Sequence, residues 1–489
     1  MSASVPSGHP HAATFESGAR TMDAALHTGD VSAYYANAAD PLHAAFAAKA
    51  VIHSGPMGMP LMGEAAEKKL ESLWDEPRSG KSLAYIHVPF CETRCLYCMF
   101  YQNPFKPEAS HEFADRLIKE LQLWSDKKAQ TTGLIHALYF GGGTPTCLAP
   151  EDLKRILSAV KTYLPLANDC EITLEGRIHH FEDEKMEAAL EGGVNRFSLG
   201  VQTFNSKVRR NVQRVDGRDA ILKRLEKLCS YDNAAVVIDL IYGFPEQTMD
   251  VWEDDLRTAA SLPLDGVDCY QLNVFEKSPL AKYISLGKLP AAADTAVKAD
   301  MFAKSVEILT ASQWKRLSNN HWRRTNRERN IYNELGKSAC DCLAFGCGAG
   351  GRLAGYSFMM DRKLADWSAG IDAGRKPVMV LSAPRPLWHM LRTISSEMEL
   401  GAINLKRLAT EFRQPVDTVA NDVIEQWISA GLLTRYGDWL LQTVAGQFWH
   451  VTLAQLLVDI IAKRLPDAQI KMPAGMPSMM GHPGHPHHG

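Results

Sequence analysis

Between residues 83 and 274, short β-branched and aromatic runs alternate with stretches whose apolar residues recur every three or four positions. Six runs read as strands: LAYIHV (83–88), IHALYF (135–140), CEITLE (170–175), RFSLGV (196–201), AVVIDLIY (235–242) and DCYQLNV (268–274). The segments between them, such as HEFADRLIKELQLW, EDLKRILSAVKTYL, DEKMEAALEGG, RDAILKRLEKLC and DVWEDDLRTAASL, carry the helical period. Strands this apolar need cover on both faces, and intervening helices supply it. The pattern predicts an α/β fold over residues 81–300, a parallel sheet curved into a partial or full barrel of six strand-helix units. Ligands of such folds sit at the C-terminal ends of the strands.

The flanks read differently. Residues 1–80 form an N-terminal extension rich in Ala, His, Met and Gly, with a helix expected around Ala36–Val51, a loop at HSGPMGMPLMG and a helix over 64–74. Residues 301–375 are expected to connect the domains and close the active site; they hold the basic stretch KRLSNNHWRRTNRER and the loop CDCLAFGCGAGGRLAG. Residues 376–465 resemble a small winged-helix-like domain with the hairpin LLTRYGDWLLQT, turning at YGD. Residues 466–489 form a Met/His-rich tail of low complexity, expected to be disordered.

Charge narrows the function. Fifty-three basic and 56 acidic side chains leave a net charge of -3, which gives no electrostatic argument for nucleic acid or an anionic membrane. The winged-helix-like stretch from Gly401 to Leu465 balances six Lys/Arg against six Asp/Glu, so a DNA-binding face is unsupported. No apolar run approaches the ~20 residues of a membrane span, and the start lacks a secretory signal, so a cytoplasmic protein is expected. Ten cysteines are too sparse for a disulfide scaffold, and they cluster at Cys91, Cys95, Cys98 and at Cys340, Cys342, Cys347.

YIHVPFCETRCLYC (85–98) spaces three cysteines as CxxxCxxC. Three thiolates can hold three irons of a four-iron cluster and leave one iron open; a zinc site completed by a distant His, or three structural cysteines, would use the same residues. LYFGGGTPT (138–146) follows the second strand, and its glycines let backbone approach a ligand closely.

With GVNRFSLGVQTF (193–204) and VIDLIYGFPEQT (237–248), these motifs make the chain resemble the radical S-adenosylmethionine (SAM) superfamily over roughly residues 83–465. Within it the chain resembles the group containing oxygen-independent coproporphyrinogen III dehydrogenase. The resemblance implies that Cys91, Cys95 and Cys98 ligate a 4Fe-4S cluster whose fourth iron takes the amino and carboxylate groups of SAM. It implies that Tyr85 and Tyr97 flank the cofactor, that Gly142, Gly143 and Thr144 contact its methionine moiety, and that Glu175 helps to hold it. Gln202, Arg214 and Asp239 match positions that hold a second SAM.

The N-terminal extension, LEGRIHHF after the third strand, YQLNVFEKSPLAKY, ERNIYNELGKSACDCLAFGCGAGG and the tail together look like the anaerobic haem-degrading radical SAM methyltransferases. That likeness implies transfer of a SAM-derived carbon to a haem meso position, ring opening to a methylated linear tetrapyrrole, release of iron, and a flavodoxin-type or other low-potential electron donor. His321, Trp322, Arg323 and Arg324 could meet haem propionates or iron, or form a solvated basic loop. Cys340, Cys342 and Cys347 could donate hydrogen or touch haem, or pack beside a glycine turn. In the tail, Met472, Met476, Met479, Met480, His482, His485, His487 and His488 offer soft and imidazole ligands, or have no role. Decarboxylation of coproporphyrinogen III and non-catalytic haem delivery remain the alternatives.

Overall fold

The computed structural model describes residues 31–51 and 57–468. Its main-sheet strands are β1 Met57–Met62, β2 Ser82–Val88, β3 Ile135–Gly142, β4 Leu166–Gly176, β5 Arg196–Gln202, β6 Ala235–Tyr242 and β7 Gly266–Gln271. They continue as β8 Lys315–Arg316, β9 His321–Arg323, β10 Asp341–Phe345, β11 Gly350–Leu353, β12 Tyr356–Met360 and β13 Val378–Pro384. The 13 strands lie in the order β1-β13-β12-β11-β10-β2-β3-β4-β5-β6-β7-β9-β8. All six strands predicted from the pattern are present as β2 to β7, each parallel to the next. The last ends at Gln271, three residues before the predicted boundary. The sheet does not close: β10 adds parallel to β2, and β9 adds antiparallel to β7. The barrel is therefore partial.

Register assigns the two faces. Ile86, Phe140, Leu174 and Phe197 line up outward, as do Ile238 and Val267, and all are fully buried. Helices cover them, among them Pro107–Leu123, which buries Phe113, Leu117 and Leu121, and Pro150–Tyr163, which buries Ile156, Leu157 and Val160. Alternate residues point the other way. Tyr85, Tyr139 and Thr173 share one level of the concave face, with Glu175 beside Ser198 and Asp239 beside Asp268 further along. The near-continuous apolar runs thus hide a polar interior at every second residue.

Three local expectations are corrected. Residues 36–51 form only the short helix Pro41–Ala44, capped by Asp40, because their backbone pairs with the C-terminal region instead: the Ala36 amide donates to Gln426 Oε1, Gln426 Nε2 donates to the Ala36 carbonyl, and Trp449 Nε1 donates to that of Leu42. The expected loop at 53–63 contains β1, whose backbone is paired by β13; residues 53–56 of that loop lie outside the description. A Cβ on Gly58 would overlap the Ala383 carbonyl, so the glycine permits this pairing. The expected loop CDCLAFGCGAGGRLAG contains β10 and β11, because the free edge of β2 offers hydrogen-bond partners that local propensity cannot reveal.

In the C-terminal region, Ala402–Ile403 joins the hairpin Leu433–Tyr436 and Trp439–Gln442 in a three-stranded sheet. Tyr436 pairs with Trp439 across Gly437, whose φ of 59° suits the turn. Helices Trp388–Leu400, Asn421–Ser429 and His450–Arg464 pack on it around buried Trp427 and Ile424, while β13 belongs to the main sheet. Among the described residues, no helix is long and apolar enough to cross a membrane. The Met/His-rich tail lies outside the described residues beyond Ala468.

Candidate active site

The cysteine loop follows β2 at the C-terminal end of the barrel, where the fold rule predicts ligands. Cys91 and Cys95 are buried and Cys98 is half-buried, all three as free thiols. The Cys98 amide donates to the Cys95 carbonyl at 3.2 Å, a tight turn that keeps these two side chains on one loop. Thr144 Oγ1 donates to the Cys91 sulfur at 3.4 Å, and the Phe100 amide to that of Cys98 at 3.3 Å. Burial pushes the Cys91 and Cys98 thiols upward. Burial acts on Cys95 too, but the guanidiniums of Arg214 and Arg177 outweigh it and bring that thiol below its ordinary range. Three clustered sulfurs with cations beside them are a donor set that fits a thiolate-ligated cluster.

The glycine stretch is positioned by close packing. Gly143 donates to the Val88 carbonyl at 2.8 Å, and a Cβ there would overlap the Phe90 carbonyl. Gly142 has a φ of 108°, and a Cβ would come within 2.6 Å of the His87 ring. At Gly141 it would come within 2.7 Å of Glu175 Oε2. The chain can run beneath the cysteine loop only as glycine.

Two carboxylates face this bowl without a direct ion pair, although the charges of Arg196, His321 and Arg214 reach Asp239. Burial and the neighbouring Asp239 push Glu175 up to about 8, against hydrogen bonds from the Gly142 amide and Tyr139. Burial and Asp268 push Asp239 up to about 7. The concave site therefore favours an incoming positive charge, and the ammonium and sulfonium of SAM fit that requirement. Arg214 stands opposite: Nη1 lies 3.8 Å from the Cys95 sulfur, Nη2 donates to the Gly200 carbonyl, and Nε has no partner. Gln202 sits at a β-bulge with φ of 73°, its Oε1 buried and unpartnered. A polar ligand entering the bowl would satisfy both atoms.

The aromatic residues frame the same space. Tyr85 stacks on Tyr139 at 6.4 Å and donates to or accepts from His87 Nδ1 at 3.0 Å. Tyr97 packs edge-on against Phe244 at 5.2 Å. The helix Ile331–Lys337 closes the other end of the bowl: the carboxylate of Glu171 accepts the Ile331 and Tyr332 amides at 3.0 Å, and the Tyr332 ring lies 4.7 Å from that of Tyr139.

The remaining candidates are scattered. His321 is buried between Asp268 Oδ2 at 2.8 Å and Glu328 Oε1 at 3.1 Å, so both its nitrogens are engaged. Burial disfavours its charge, but the two carboxylates prevail and raise it to about 9. Glu328 also accepts from Arg196 at 2.9 Å and is held down to about 2 despite its burial. Arg323 pairs with Gly266 at the start of β7, and Arg324 donates to the Leu262 carbonyl at 2.7 Å, at the barrel end opposite the cysteine loop. Cys342 faces the interior beside Leu83, Ala137 and Tyr332, with burial pushing its thiol up to about 12. Half-buried Cys340 donates to the Leu335 carbonyl at 3.0 Å, whereas fully buried Cys347 belongs to the main core.

Two residues of the site escaped the pattern reading. Arg177 Nη1 donates to the Thr93 carbonyl and hydroxyl at 2.8 Å, tying the end of β4 to the cysteine loop. His87 packs over Gly142. Each lies two residues beyond a recognised one, Glu175 and Tyr85, and the period of 2 in a strand is the signal that would have found both.

Residues 85–259 match the model of the radical SAM superfamily. The anaerobilin synthase of Escherichia coli O157:H7 is 39% identical over 82% of this chain and 91% of its own length. The heme chaperone HemW of Lactococcus lactis is 30% identical over 56% of this chain and 70% of its own. Among solved structures, coproporphyrinogen III oxidase (HemN) from Escherichia coli superposes with a TM-score of 0.68 over 80% of this chain and 92% of that chain, at 21% identity; this last likeness concerns the fold.

Proposed function

The chain belongs to the radical SAM superfamily, and we propose that it opens the haem macrocycle without oxygen, giving a methylated linear tetrapyrrole and releasing iron. The observation that carries this reading is the 39% identity to anaerobilin synthase over 82% of the chain, against 30% to a heme chaperone over as much as 77% of it. The bowl supports it. Cys91, Cys95 and Cys98 hold the cluster; Tyr85, Tyr97, Gly142, Gly143, Thr144 and Glu175 hold one SAM, and Gln202, Arg214 and Asp239 a second. When bound, the cluster and SAM supply the one-electron cleavage that begins radical chemistry.

The protein's own residues do the positioning. Glu175 and Asp239 give up protons as a cationic ligand enters, since burial and neighbouring carboxylates raise them to about 8 and 7. Arg214 holds the Cys95 sulfur and the Gly200 carbonyl in one geometry. Tyr332 and its helix exclude water from the closed end. Of the catalytic candidates, Cys342 is the thiol on the concave face and serves as the hydrogen donor, while His321 holds the Asp268 flank; Cys340 and Cys347 support the surrounding turn. A low-potential, flavodoxin-type donor supplies electrons in the reducing cytoplasm, consistent with ten free cysteines.

The test is anaerobic incubation of the cluster-loaded protein with SAM and a low-potential reductant, with haem or coproporphyrinogen III as substrate. Loss of the Soret band with haem is the expected result. Haem bound without turnover identifies a chaperone, and decarboxylation of coproporphyrinogen alone a dehydrogenase.

A further inference from the structure

The segment LEGRIHHF ends in two histidines that none of the cofactor positions uses. The structure folds them back onto the cysteine loop. His180 Nδ1 lies 2.9 Å from Glu92 Oε2, and His179 Nε2 lies 3.8 Å from the same oxygen. One ligand atom from each of the three residues falls within 4.8 Å of the others. Those separations bracket the ~3.4 Å between neighbouring ligands of a tetrahedral ion with bonds of about 2.1 Å.

Three further features give this cluster the form of a built site. The second nitrogen of His179, Nδ1, sits 3.1 Å from Asp216 Oδ1, the carboxylate partner that fixes the tautomer and orientation of a metal-ligating imidazole. His180 adopts a φ of 52°, a left-handed conformation disfavoured by about 1–2 kcal/mol for a residue with a side chain. The two rings stack with centroids 3.8 Å apart, both edges turned to Glu92. Arg177 anchors the assembly from below through Thr93. His179 is 16% exposed and Glu92 23%, while His180 is 60% exposed, so an ion can enter from solvent.

We propose that Glu92, His179 and His180 form a site for a divalent transition-metal ion, with Asp216 positioning His179. Two imidazoles and one carboxylate suit Zn²⁺ or Fe²⁺ and not Mg²⁺, which demands oxygen ligands. Under the function proposed above, the ion it meets is iron leaving the opened haem; that role rests on that reading, whereas metal binding itself does not.

The experiment is equilibrium dialysis of the cluster-loaded, full-length protein against zinc, so that the three loop cysteines are already engaged. The parent protein binds one equivalent more than Glu92→Gln or the double variant His179→Ala/His180→Ala, each retaining the parent's cluster absorbance. Asp216→Asn keeps the stoichiometry and weakens binding by about tenfold to a hundredfold. Equal zinc binding by parent and double variant overturns the site, as does an equal loss in His111→Ala, whose exposed imidazole lies elsewhere, beside Asp115 and Asp152. Anaerobic dialysis against Fe²⁺ alone gives the same one-equivalent difference between parent and double variant, and Mg²⁺ gives none. Equal Fe²⁺ binding by the two overturns the iron role, and no haem is present to confuse the outcome with haem opening.

Discussion

The two flanks of the barrel interior treat their buried charges in opposite ways. Around β7 and β9, Glu328 is held by Arg196 and His321, and burial is offset by pairing, leaving its carboxyl near 2. Around β4 and β6, Glu175 and Asp239 are equally enclosed without a direct ion pair, and with Asp239 beside Glu175 and Asp268 beside Asp239 they rise to about 8 and 7. Beside them Arg214 Nε and Gln202 Oε1 have no hydrogen-bond partner, as Arg196 Nη2 has none on the first flank, so the contrast lies in the carboxylates. A buried polar group left unsatisfied costs about 1–3 kcal/mol, so folding alone favours the first arrangement. The second is what a site for a charged ligand requires before the ligand arrives. In the proposed function the paired flank is scaffold, and the unpaired flank holds the cofactor.

The largest test removes the unpaired flank's purpose. Replacing Cys91, Cys95 or Cys98 by Ala abolishes cluster absorbance and all turnover, while thermal melting of the cluster-free proteins stays at the parent value. A full cluster in all three variants would remove the ligand assignment.

Next comes the scaffold. Glu328→Gln weakens two buried pairs and lowers unfolding free energy by about 3 kcal/mol, read by denaturant titration. An unchanged midpoint would dissolve the contrast between the flanks. Glu175→Gln acts in the reverse sense: it removes an unpaired carboxylate, leaves the melting temperature equal or higher, and lowers kcat/KM by on the order of 100-fold, ~2.7 kcal/mol. A matching fall in stability would mean that Glu175 is structural too.

The smallest effect is a pH dependence. His321 is raised from 6.5 to about 9 in the folded protein, so its stabilising charge is fully present below pH 6.5 and is lost as pH rises through about 9. The melting-temperature gap between the parent and His321→Gln therefore narrows from pH 6.5 to pH 9.5. A constant gap would place the contribution of His321 in packing instead.

These contrasts were partly legible in the sequence. The six parallel strands and the cysteine loop announce themselves through local pattern and spacing. The difference between Glu175 and Glu328 does not, since both are single acids in polar surroundings and only tertiary packing sets Arg196 and His321 against one of them. β10 escaped detection for a related reason: CDCLAF has weak strand character, and β2 supplies the partners. His321 looked like a haem ligand in a basic stretch, yet β9 turns it onto Asp268 and uses both ring nitrogens. Glu92 stood beside the cysteines from the start, but its neighbours His179 and His180 lie more than 80 residues away in the chain.

The central claim, haem opening with a carbon drawn from SAM, is tested most directly by mass spectrometry of the anaerobic reaction with haem and SAM labelled in its methyl group. The account predicts a linear tetrapyrrole that carries the label, together with loss of the Soret band and free iron. Intact haem after complete consumption of SAM would contradict it.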